Sequence, residues 1–209
     1  MSRRLTGTSY AILGLLAIRP WSTYELTQQM ERSLRRFWPR AASKLYEEPK
    51  KLADLGLARA TQESVGRRPR TSYAATAEGR RELARWLSGP CAVPVLESEA
   101  LLKVFFAEHG TKEDLLATLE NLRGWAEGNL REDARIASSY VAGTGPFPAR
   151  AAQLALVGRY LADFADMTLQ WSQWATAVVS EWPDDISQAP AAKDTLRDIA
   201  NRTQRLTPQ

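Results

Sequence analysis

The sequence predicts a mainly α-helical protein in two parts: a small basic N-terminal unit carrying one β-hairpin, and a C-terminal unit of long antiparallel helices. Three observations carry that expectation. Apolar residues recur at helical spacing through most of the 209 residues. Charge is divided unevenly, with 17 Lys+Arg against 8 Asp+Glu in residues 1–88, a balance of +9, and 11 against 16 in residues 89–209, a balance of −5. The stretch from about 149 to 182 repeats its apolar residues alternately every three and four positions, which is the seam of one helix packed along another.

Composition narrows the class further. With 44% hydrophobic and 25% charged residues the chain reads as globular rather than disordered. The single cysteine, Cys91, leaves no intramolecular disulfide or multi-cysteine zinc site to be formed and suits a reducing interior. No window approaches 18 uninterrupted apolar residues, and the N-terminal arginines are not followed by an apolar run with a cleavage site. A soluble cytoplasmic protein is the expectation.

Residues 5–18 (LTGTSYAILGLLAI) place Leu5, Ile12, Leu13 and Leu16 on one stripe, with Tyr10, Leu15 and Ile18 on other sides. A helix apolar nearly all round is a buried one. Arg19, Pro20 and Trp21 break it, and Ser22 with Glu25 supplies the S-x-x-E capping box of a second helix, with Tyr24, Leu26, Met30 and Leu34 as its inner positions. The third helix, Ser43 to Leu55, is amphipathic. Leu45, Pro49, Leu52 and Leu55 share one arc, while Ser43, Lys44, Glu47, Lys50, Lys51 and Asp54 share the other. Gly56 stops it as a left-handed C′ glycine would.

Two short runs, LARATQES and RTSYAAT, then flank Val65-Gly66-Arg67-Arg68-Pro69, whose Gly and Pro mark a hairpin tip. The tip carries Arg67, Arg68 and Arg70, guanidinium groups that stay charged and fit phosphate oxygens bidentately. A basic tip alone is often solvated decoration; behind three helices it reads as a wing, and the third helix becomes the candidate reader of a DNA groove. Thr76 caps a further helix, Ala77 to Leu87, expected to turn Leu83, Trp86 and Leu87 inward and to keep Arg80, Arg81 and Arg85 in water.

A Gly/Pro-rich stretch separates the halves. The expected organisation is a winged helix-turn-helix domain at 1–88, a linker at 89–96, a helical dimerisation domain at 97–182 and a tail at 183–209 with a short helix from Ala191 to Asn201. Residues 97–108 form a short helix whose Leu101, Leu102, Val104, Phe105 and Phe106 are too apolar for a free surface. Thr111 with Asp114 caps a long helix to about Ala142. In the last large helix Leu154, Val157, Leu161, Phe164, Thr168, Trp171, Ala175, Val178 and Trp182 form the seam, and Tyr160, Met167 and Trp174 widen it beyond what one partner helix covers. Pairing with a second copy is the simplest way to bury that stripe.

Parts for catalysis are missing. His109 is the only histidine, the glycines are scattered at turns, and the adjacent pairs Glu47-Glu48 and Asp184-Asp185 point different ways. No enzyme, cofactor or metal site is expected.

The residues quoted above resemble the PadR family of bacterial transcriptional regulators over roughly residues 5–180. The resemblance is carried by AILGLLA at 11–17, Tyr24-Glu25-Leu26, Phe37-Trp38, Leu45-Tyr46, Lys50-Lys51-Leu52, Asp54-Leu55-Gly56-Leu57, Gly66-Arg67-Arg68 with Tyr73, Thr76-Ala77-Glu78-Gly79-Arg80 and Trp86-Leu87. Two positions depart from the family pattern: Pro49 stands three residues after Tyr46 instead of directly after it, and Ser22-Thr23 replaces the usual His-Gly.

The resemblance implies a homodimeric winged helix-turn-helix regulator, usually a repressor, on an inverted-repeat operator. Ser43, Lys44, Tyr46, Lys50 and Lys51 are then expected at the major groove, Arg40 at the entry of that groove, and Arg67, Arg68 and Arg70 on the backbone or minor groove. Glu47 is the odd member, placed to accept from a cytosine amino group or to repel wrong sites. Trp125, Phe164, Trp171 and Trp174 are candidates for a cleft that stacks a flat aromatic effector, with packing of a dimer core as the alternative. A helical adaptor that turns its winged helix to a protein partner is the rival from another class; the basic front half favours nucleic acid.

Overall fold

The computed structural model describes residues 5–39, 42–65 and 68–202, and their side chains except at 42–45, 63–65, 68 and 69. The chain divides after Pro94 into two compact units.

In the first unit, helix α1 (Gly7–Ile18) is opened by a capping box between Thr6 and Ser9 and buries Ile12, Leu13, Leu15 and Leu16. Strand β1 (Trp21–Ser22) follows, an element the sequence reading took for a simple break. Helix α2 (Thr23–Ser33) begins at the expected Ser22–Glu25 box. It buries Leu26 and Met30, whereas Tyr24, expected inside, is 65% exposed. Its hydroxyl instead accepts from Gln28 Nε2 at 2.7 Å, one turn along the outer face.

Helix α3 (Ala42–Asp54) runs through Pro49, which is fully buried together with Leu52. Leu55 lies past its end and is exposed. Gly56 has a φ of +72°, and the carbonyls of the last turn are closed by Leu57 N–H to Leu52 O and Gly56 N–H to Ala53 O, both 2.9 Å. That is the Schellman pattern, and its apolar contact pair is the buried Leu52 and Leu57.

Strands β2 (Ala58–Val65) and β3 (Arg68–Ala75) form the expected hairpin, antiparallel from Ala58↔Ala75 to Val65↔Arg68. The sheet order is β1-β3-β2, so β3 is central and β1 pairs with it at Trp21↔Tyr73 and Ser22↔Ser72. Helix α4 (Ala77–Ser88) starts on the Thr76 cap. Trp86 and Leu87, expected inside, are both exposed. Trp86 lies flat on Tyr10, with ring centroids 4.8 Å apart and planes 9° from parallel, and Tyr10 Oη donates to Glu82 Oε1 at 2.8 Å. Burial and that bond both raise the Tyr10 hydroxyl above its ordinary pKa.

In the second unit, helix α5 (Glu99–Phe105) and a 3-10 turn at Ala107–His109 precede the long helices α6 (Lys112–Val141) and α7 (Ala151–Ser180). The Thr111–Asp114 capping box forms as expected. The two helices are antiparallel: Lys112 Nζ, at the start of α6, donates to Ser180 O at 2.8 Å and Trp182 O at 2.6 Å past the end of α7. Leu115, Leu119, Ala175, Val179 and Ile186 form the core, with Trp171 and Trp182 packed against it.

The buried line of α7 is Ala165, Thr168, Ser172, Ala175 and Val179. The predicted seam therefore shares only Thr168 and Ala175 with it, and Val157 is exposed. Small side chains take the line of closest approach and the aromatics flank it, because two helix axes approach only where the residues between them are small. The hydroxyls on this line are satisfied within the helix, Thr168 Oγ1 to Phe164 O at 2.8 Å and Ser172 Oγ to Leu169 O at 2.9 Å. A short helix α8 (Lys193–Arg202) ends the described chain. Among the described residues no helix is long and apolar enough to cross a membrane.

Candidate nucleic-acid interface

The last turn of α3 and the segment that precedes the helix are both tied to the first turn of α1. Before it, Trp38 packs over Gly7 and donates Nε1–H to Thr8 Oγ1 at 3.2 Å. In its last turn, Lys51 Nζ donates to Ser9 Oγ and to Glu48 Oε1, each at 3.2 Å. Thr8 and Ser9 are buried, so these bonds draw α3 onto α1 where water cannot compete fully. Pro49 and Leu52 fill the apolar side of the contact.

What remains outside is a narrower reading surface than the sequence predicts. Tyr46 is 54% exposed, and Glu47 and Lys50 are exposed beside it. Ser43 and Lys44 occupy the first turn of α3, with side chains outside the described residues. Arg40 also lies outside them. Lys51 does not face outward: a lysine stem is long enough to reach back across the helix, and its ammonium is largely covered at Glu48 and Ser9.

The wing is placed by the sheet. Arg67 lies outside the described residues, and the side chain of Arg68 does so too. Arg70 is not at the tip but two residues before the Ser72 pairing with β1, and its guanidinium is bonded to Glu25 of α2. The Glu25 carboxylate also accepts from Ser22 N–H at 2.8 Å and Ser22 Oγ at 2.9 Å. Arg19, stacked over the Trp21 ring at 3.4 Å, stands 3.6 Å from its other oxygen. Burial raises the Glu25 carboxyl, but the bonds from Ser22 and Arg70 outweigh it and hold the group at about 2. Sequence reasoning missed Glu25 as a partner of Arg70 because a capping box already explained it.

The aromatic candidates of the second unit fall in different places. Trp125 and Phe164 meet edge to face across α6 and α7, centroids 6.1 Å apart at 79°. Trp171 packs against the core cluster, which removes it from an open cleft, and Trp174 is exposed.

Two family models match the chain. Residues 12–85 match the transcriptional regulator PadR-like family, and residues 97–180 match the virulence activator alpha C-terminal model. The negative transcriptional regulator PadR of Bacillus subtilis is 34% identical over 99 residues, a match that spans 46% of this chain and 54% of that protein.

The first unit of the chain is similar to the PadR-like family over residues 12–85.

Solved structures agree on the fold. Bacillus subtilis PadR in complex with operator DNA superposes with a TM-score of 0.71 at 23% identity, covering 83% of this chain and 99% of that one. The same protein in complex with p-coumaric acid gives 0.64 at 24% identity, covering 83% and 98%. The Vibrio cholerae virulence activator AphA gives 0.59 at 22% identity, covering 81% and 95%. Within the first unit the motif residues Leu52, Gly56, Leu57 and Gly79 build the scaffold, and Tyr46 and Lys50 are left on its surface.

Proposed function

We propose that the protein is a sequence-specific DNA-binding transcriptional regulator that represses as a homodimer on an inverted-repeat operator. The observation that carries this reading is α3: its last turn and the segment before it are tied to α1, Pro49 and Leu52 bury its inner face, and its outer face offers Tyr46, Glu47 and Lys50 on the basic unit of the chain. A helix held that rigidly can enter the major groove with its side chains in register, while phosphate contacts fix its orientation. Ser43, Lys44, Tyr46 and Lys50 read or grip the groove, and Arg40, Arg67 and Arg68 meet the backbone.

Dimerisation follows from the uncovered apolar surface of the second unit. Leu101, Leu102, Phe105 and Phe106 of α5, and Tyr160, Met167 and Trp174 of α7, face outward in one chain and would be buried by a second copy. A two-fold dimer then sets its readers about one DNA turn, ~34 Å, apart. The exposed rings of Trp125 and Trp174 support reception of a flat aromatic effector, as does the p-coumaric acid complex of the Bacillus subtilis structure.

Gel shifts on the region upstream of its own gene test the reading. Retention should weaken with salt, log K falling against log salt with a slope of about −5 if about six cations per dimer neutralise phosphates. Lys50→Ala should weaken binding, and p-coumarate should release the duplex. No retention of any duplex in dilute buffer would overturn the proposal.

A further inference from the structure

Arg70 sits on the wing strand of a basic module, where a guanidinium would ordinarily be counted among the phosphate contacts. Its surroundings say otherwise. Backbone pairing between β1 and β3 ends at Ser22↔Ser72, yet the hairpin continues outward to Val65 and Arg68. Arg70 is one pleat beyond the last paired residue, on the same face of the strand as Ser72. Its contact with Glu25 thus extends the attachment of the wing past the point where the backbone ladder stops.

We propose that Glu25 is a positioning residue for the wing: it binds Arg70 across from α2 to β3, sets the angle of the hairpin against the reading helix, and withholds Arg70 from DNA. The inference rests on the DNA-binding reading and refines it. Glu25 is itself held by the helix it opens. Its Oε2 is fixed by the Ser22 N–H and hydroxyl at the first turn of α2, so the anchor belongs to the helix and not to a free side chain. Arg19 adds a second cation on the other oxygen. Pulling Arg70 away to a phosphate would leave that carboxylate facing a polyanion with one partner fewer, which opposes the transfer. Because the carboxyl sits at about 2, it stays ionised at any pH near neutrality.

Glu25→Gln and Arg70→Gln separate the possibilities, since glutamine preserves the capping box while removing the charge. Affinity is measured across a salt series for a duplex spanning the upstream region of the protein's own gene and for a shuffled duplex of equal length. With Arg70 withheld, Arg70→Gln leaves the salt slope unchanged and lowers the ratio of the two affinities by about fivefold or more as the wing loosens. Glu25→Gln frees a cation and steepens the slope by about 0.9 per protomer.

A slope shallower by about 0.9 per protomer in Arg70→Gln makes Arg70 a phosphate contact and overturns the inference while leaving the DNA reading intact. So does an unchanged affinity ratio. Should Arg70→Gln fail to fold, Glu25→Gln alone decides, an unsteepened slope being the overturning result. In the DNA-free protein the two substitutions together should lower the thermal midpoint by less than the sum of the single shifts; additive shifts overturn the contact itself. If the unaltered protein retains neither duplex, the DNA reading fails, and the wing's role falls with it.

Discussion

Gly79 is buried at the start of α4, and a Cβ there would fall on the carbonyl oxygen of Leu57 and against Leu13. The Leu57 oxygen is backbone and already accepts from Thr76 N–H at 3.0 Å, so it has little freedom to move. Gly79→Ala is therefore expected to cost about 3 kcal/mol of stability, at the upper end of overpacking effects, and a thermal or urea melt measures it. Gly56 differs in kind. Nothing crowds it, and its φ of +72° is what restricts it. Both glycines stand in the motifs by which the sequence resembles the PadR family, yet only Gly56 announced its reason in the sequence, as the stop of an amphipathic run. The need for Gly79 is a close approach between residues distant in the chain, which no local pattern records.

Among the elements, α3 is held by its buried apolar stripe and, outside that stripe, by Lys51 in its last turn and Trp38 before its start. Trp38→Ala removes both the ring over Gly7 and the bond to Thr8, and about 3 kcal/mol of stability is expected to go with them. Operator affinity should fall further than that of Lys50→Ala at temperatures where the variant is still folded, a comparison gel shifts and circular dichroism make together. The elements themselves were legible wherever a local chemical signal marks an end: Ser22 with Glu25, Thr76, Thr111 with Asp114, Gly56 and the hairpin tip.

Three features were not legible, each for a tertiary reason. Strand β1 is two residues long, too short for any alternation, and exists only because β3 lies beside it. Lys51 falls on the polar side of the wheel, but its stem carries the charge round to Ser9. The seam of α7 was read through its largest residues, whereas closest packing selected Ala165, Ser172 and Val179 beside them. Of the outer arc, Glu47 and Lys50 are exposed where helical arithmetic put them and Tyr46, named only through the resemblance, is exposed beside them, while Arg70 was claimed by a carboxylate already assigned to a cap.

For the whole molecule, the division of charge and the uncovered apolar surface of the long helices describe two tasks given to separate units. If the second unit joins two copies, a charge placed in its exposed stripe should undo the joining. Met167→Glu is expected to shift the protein from dimer to monomer in sedimentation and to weaken operator binding steeply, because each half-site would then be bound alone. A dimer that survives Met167→Glu, with unchanged binding, would place the joint elsewhere.

The sheet order carries a last consequence, for synthesis. Among the described residues, the strand that lies between α1 and α2 in the chain finds its one sheet neighbour in β3, the last of the three strands to be made. While a ribosome is still adding the wing, Trp21 and Ser22 have no ladder to join, although α1 and α2, on which α3 packs, are already made. The sheet can thus close only once β3, ending at Ala75, has emerged from the exit tunnel, and a nascent chain halted before that point leaves the β1 edge without its partner.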